Sequence, residues 1–226
     1  MPMSGGTMSM MWMRMPGQSW PGTAASFLVM WVVMMVAMML PSLVPTLWRY
    51  RECLRRSGIA QVNRLTTLVG AGYFFVWAAA GAIVFPLGVA AGYAAAQQPV
   101  LARLAPLVAG VAVLLAGALQ RTAWKARQLA FCRESPAHVP ATRVRTAWRH
   151  GVRLGLHCVG SCAGLTAVTL LVGVMDLRVM AVVTAAITVE RLAPSDARIV
   201  RAIGDAVVVV GLVLLARAVG LGGQGL

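Results

Sequence analysis

The sequence predicts an all-α fold: a polytopic integral membrane helix bundle of about six transmembrane helices. Three observations predict it. Of the 226 residues, 59% are apolar and only 12% are charged, whereas soluble domains carry about 25% charged residues. One core cannot hide that excess in a chain of this size, so lipid is the expected solvent. Six apolar stretches each approach the ~20 residues that cross a bilayer. The basic residues gather in every second connection between those stretches. Together these features exclude a disordered chain, a disulfide scaffold and an ordinary soluble enzyme.

The elements follow in order. Residues 1–20 form a Met-rich extracytoplasmic tail without the apolar segment of a cleavable signal. Residues 21–220 are the six-helix transmembrane domain, and 221–226 a Gly-rich C-terminal tail. The first span, about 22–46, holds Pro41 and Pro45 near its cytoplasmic end, where either can kink or end the helix. The second, about 66–90, holds Pro86 and a series of glycines (Gly70, Gly72, Gly81, Gly88) of the kind that lets membrane helices approach closely. The third covers about 104–122. A loop at 132–148 with Pro136 and Pro140 is expected to be partly non-helical. Spans four to six cover about 152–172, 174–192 and 199–219.

The formal net charge is +14, and 16 of the 20 Lys and Arg residues lie in the connections after spans one, three and five. The positive-inside rule puts those connections in the cytoplasm and both termini outside. This sidedness also suits an additional helix ahead of residue 1. No nucleic-acid signature accompanies the charge, so the expected partner is the lipid bilayer, with a membrane or extracytoplasmic protein as a further partner.

Twelve of the 14 methionines fall in the first 39 residues. Met8, Met10, Met11, Met13 and Met15 lie on the tail, several in M-x-M spacing. A thioether binds soft Cu(I) without losing a proton, which suits metal capture in an outer compartment. The competing reading is an apolar tail lying in the interface. Met34, Met35, Met38 and Met39 lie in span one and, with Met30, cover about half the helix circumference. They are either adaptable packing or soft ligands.

Span four carries His157, Cys158 and Cys162. Gly151, Gly155, Cys158, Cys162 and Thr169 share one stripe at 100° per residue. That stripe reads as close helix contact, or as two thiols offered to one metal with His157 beside them. An i, i+4 cysteine pair is a poor disulfide. By helical rise, Cys158 and Cys162 lie at a depth that overlaps that of Met38 and Met39. Asp176 and Glu190 are the acidic residues near span ends, candidates for a polar function, with Glu190 also placed to pair with Arg191, Arg198 or Arg201. Cys53 and Cys132 fall in the cytoplasmic connections.

These residues carry a resemblance. The run MWVVMMVAMMLPSLVP followed by WRYR, the run GLHCVGSCAGLTAVTLLVGVMDLRVM leading to TVERLAP, and more weakly KARQLAFCRESP look like motifs of one bacterial family. That family is described as predicted metal-binding integral membrane protein, or domain of unknown function 2182. The resemblance covers about residues 20–215. It implies metal binding by a bacterial membrane protein; the thioether and thiol chemistry above makes copper the favoured soft ion, and the inner membrane the expected location. Gln128 and Ser161 stand where that family often has cysteine, so fewer thiolates are expected here, and many relatives have an extra helix ahead of the tail. A small permease for a non-metal substrate and a scaffold subunit of a membrane complex are the alternatives. No triad, P-loop or HExxH motif supports an enzyme.

Overall fold

The computed structural model describes residues 19–133, 143–172, 176–192 and 197–222. The methionines expected on the tail, both prolines of the 132–148 loop and the C-terminal tail from 223 lie outside the described residues. Among the described residues there are seven helices: α1 Trp20–Arg56, α2 Val62–Gln97, α3 Pro99–Gln120, α4 Ala123–Arg133, α5 Val144–Val172, α6 Leu177–Leu192 and α7 Ala197–Gly222.

Five of them (α1, α2, α3, α5 and α7) are long and apolar enough to cross a membrane. The expected fifth span is α6, with 16 residues. At a rise of about 1.5 Å per residue it reaches about 24 Å, short of the ~30 Å hydrocarbon layer. The expected six spans thus become five long helices and one short one. The outer surface is apolar as well: Val29, Val33 and Val44 on α1 and Val209, Leu212 and Val213 on α7 are all exposed. In water this would be a liability, while in lipid it is the expected outer face.

α1 runs well past the expected end at 46 and continues through Pro41 and Pro45 to Arg56. Ser19 caps its start, accepting from the Gly22 amide at 3.3 Å. Its end is a Schellman turn: Gly58 N–H donates to Arg55 and Ile59 N–H to Leu54. Gly58 has φ of 68°, a conformation that favours glycine. One face of α1 (Trp31, Met35, Met38, Met39, Ser42 and Leu43) is buried, while Val29, Val33 and Leu40 point outward. This split is the 3.6-residue period made visible.

Glycines set how close the helices come. A Cβ on Gly151 would collide with the Val69 carbonyl, and one on Gly72 would lie 2.8 Å from the Trp148 carbonyl. A Cβ on Gly155 would sit 3.0 Å from the Tyr73 carbonyl. α2 and α5 therefore touch backbone to backbone, as the small-residue stripe predicted. α3 and α7 meet in the same way at Gly117 and Gly211. The Trp31 indole spans α1 to α2, donating to the Trp77 carbonyl at 2.8 Å.

α4 lies inside the connection expected to be a cytoplasmic loop. It packs on α5 and α6, and buries Lys125, Leu129 and Cys132. Cys132 is therefore a core residue rather than a loop cysteine.

Candidate metal centre

The α2–α5 seam fixes the centre. Because Gly151 and Gly155 let α5 lie against α2, the next residues on that stripe, Cys158 and Cys162, enter the bundle interior. Both are essentially fully buried. Their sulfurs are 3.8 Å apart. The Met39 thioether of α1 lies 3.9 Å from the Cys158 sulfur. A metal–sulfur bond of about 2.3 Å sets two ligating sulfurs about 3.8–4.0 Å apart in tetrahedral or trigonal geometry. The spacing of this cluster already falls in that range. All four cysteines of the chain are free thiols.

Among the described residues, no three His, Cys, Asp or Glu side chains converge as a metal-holding group. The cluster has two thiols, and its third sulfur is the thioether. Such a donor set suits a soft ion of low coordination number, Cu(I) above all, better than a hard cation.

Polar groups surround the sulfurs. The Tyr73 hydroxyl lies 2.9 Å from the Cys158 sulfur. Arg191 donates from one guanidinium nitrogen to the Ser42 hydroxyl at 2.9 Å and, at a longer 3.4 Å, to the Tyr73 oxygen. Ser42 in turn donates to the Met39 carbonyl at 3.0 Å. Ser161 donates to the Cys158 carbonyl and lies 3.6 Å from the Cys162 sulfur. Burial pushes the Cys132 thiol up from its ordinary range, against the opposing pull of the Arg191 charge and hydrogen bonding.

The predicted residues divide clearly. Met39, Cys158 and Cys162 are brought together. Met34, Met35 and Met38 are buried in the same apolar core on the same helix face. His157 points elsewhere: its Nδ1 hydrogen-bonds Gln128 Oε1, and its ring stacks on Phe131 with centroids 3.8 Å apart. Asp176 is exposed and caps the start of α6, accepting from the Arg178 amide at 2.8 Å. Glu190 is buried and bound to Lys125 at 2.8 Å and Gln120 at 3.1 Å. Lys125, expected among the solvated topology charges, is thus a core residue. Tyr73, Ser42, Arg191 and Cys132 were not candidate site residues in the sequence, where Arg191 read as a partner for Glu190 and Cys132 as a residue of a cytoplasmic connection. The signals for them were a tyrosine inside an apolar run and an arginine beside the Glu190 carboxylate.

The family model PpoB2, described as copper chaperone, matches residues 28–214. The chain belongs to this family. No curated protein and no solved structure matches it. The PpoB2 match fits the metal-related character that the motifs implied, under a different family name. The matched range contains every residue of the sulfur cluster and its polar surround, and it leaves out the tail methionines.

Proposed function

We propose that this chain is an integral membrane protein that binds and hands on Cu(I), with Cys158, Cys162 and Met39 as the holding site. The observation that carries this reading is the meeting of three sulfurs from two helices at 3.8 and 3.9 Å inside the bundle. A packing role needs apolar volume and no such convergence of donors. Two thiolates and a thioether hold Cu(I) tightly enough to exclude water, and exchange with an incoming soft ligand releases it. Met34, Met35 and Met38 continue the soft face along α1. In this reading the tail methionines Met8, Met10, Met11, Met13 and Met15 collect the ion outside. The five long apolar helices support placement in a membrane, and the charge asymmetry supports an inner membrane with Arg-rich connections in the cytoplasm.

Element analysis of the detergent-purified protein tests this directly. Copper should co-purify with, or load onto, the unmutated chain and be lost from Cys158→Ala/Cys162→Ala. Removing residues 1–18 should slow copper acquisition and leave the holding site intact. Equal copper in the double cysteine variant refutes the site.

A further inference from the structure

We infer that Arg191 is a specificity-determining counter-charge, which makes the Cys158–Cys162–Met39 site take a monovalent soft cation in preference to a divalent one. The inference rests on the proposal that these sulfurs hold the cargo. Among the described residues, three charged side chains are buried: Lys125, Glu190 and Arg191. Lys125 and Glu190 neutralise each other at 2.8 Å. Among the described residues Arg191 has only neutral partners: it donates to Ser42 and Tyr73, it lies against the Cys132 thiol, and its second terminal nitrogen has no hydrogen-bond partner. A guanidinium does not give up its proton in a protein. Among the described residues, the interior therefore holds one positive charge without a buried anion to balance it, which is costly wherever water is excluded.

The sulfur site supplies the missing anion once metal is bound. Ligating cysteines are thiolates, so two thiols that bind one ion release two protons to solvent. Met39 contributes no charge. With a monovalent ion the two thiolates leave one net negative charge, which Arg191 balances. With a divalent ion the complex is neutral and Arg191 stays uncompensated. Tyr73 links the two groups: its oxygen accepts from Arg191 and its hydroxyl lies against the Cys158 sulfur. The Glu190–Arg191 pair of the TVERLAP motif then has two distinct tasks, one locking α6 to α4 and the other facing the sulfurs.

The test compares Ag(I), a redox-inert monovalent probe, with Cd(II), a divalent one, by competition binding to the full-length detergent-solubilised protein. Arg191→Lys keeps the charge and should keep the Ag(I)-over-Cd(II) preference. Arg191→Gln should shrink that preference about tenfold or more, the scale on which a nearby opposite charge acts. Ser42→Asp leaves Arg191 in place and supplies its missing anion, and should shrink the preference in the same direction. A merely structural role for Arg191 would weaken both ions alike. An unchanged preference in a folded Arg191→Gln or Ser42→Asp protein overturns the inference. Undiminished Ag(I) binding by Cys158→Ala/Cys162→Ala overturns the site itself, a different and distinguishable failure.

Discussion

The Tyr73 hydroxyl lies 2.9 Å from the Cys158 sulfur, across the seam where α2 and α5 meet through glycine. Arg191 has no acceptor atom, so the contact at 3.4 Å makes the tyrosine oxygen an acceptor. The hydroxyl proton is then free to point at sulfur. A donor aimed at a metal-bound thiolate stabilises its charge and tunes its hold on the ion.

Tyr73→Phe should therefore weaken copper binding without abolishing it. One hydrogen bond is worth about 0.5–1.5 kcal/mol, or roughly two- to tenfold in Kd. Competition against a Cu(I) chelator reads this. A loss as complete as that of Cys158→Ala would make Tyr73 a ligand rather than a tuning group.

His157→Ala should leave copper affinity unchanged. The ring is engaged with Gln128 and Phe131, away from the sulfur cluster. The same competition measurement decides it: a large loss of affinity would place His157 in the site despite this geometry.

Glu190→Gln should destabilise the fold strongly. It strands the Lys125 ammonium, whose side chain is 3% exposed. Breaking a buried pair by removing one partner costs about 3–5 kcal/mol. Replacing both, as Lys125→Met/Glu190→Leu, should recover most of that loss. Thermal unfolding in detergent compares the three proteins. Equal stability of the single variant and the parent would show that the pair is solvated.

Gly151→Ala should lower thermal stability by about 1–3 kcal/mol, the usual cost of forcing atoms into a packed interior. Its Cβ would strike the Val69 backbone, which cannot rotate away. Gly220→Ala meets nothing within 4 Å and should be silent. The same seam positions Tyr73 and Cys158, so Gly151→Ala should also weaken copper binding.

The long apolar helices and the buried methionine face were legible in the sequence because both follow from composition and local periodicity, whereas the short α4 was not. Met35, Met38 and Met39 share one side of any helix drawn through them, and Cys158 and Cys162 share another. Matching their depths brought the two groups to the same level before any packing was known. Tyr73, Ser42 and Arg191 were not legible, because their roles depend on how α1, α2 and α6 rotate against α5. Arg191 and Lys125 resembled ordinary charges at helix ends, where hydropathy sees only sidedness. The prolines allowed either a kink or an end, and α1 passes through both without ending, as membrane helices can where neighbouring groups satisfy the freed carbonyls.

X-ray absorption at the copper edge of the Cu(I)-loaded protein tests the central claim most directly. The account predicts a shell of sulfur alone, with two or three scatterers at about 2.3 Å, that disappears in Cys158→Ala/Cys162→Ala. A shell dominated by nitrogen or oxygen, or one that survives the double substitution, would contradict it.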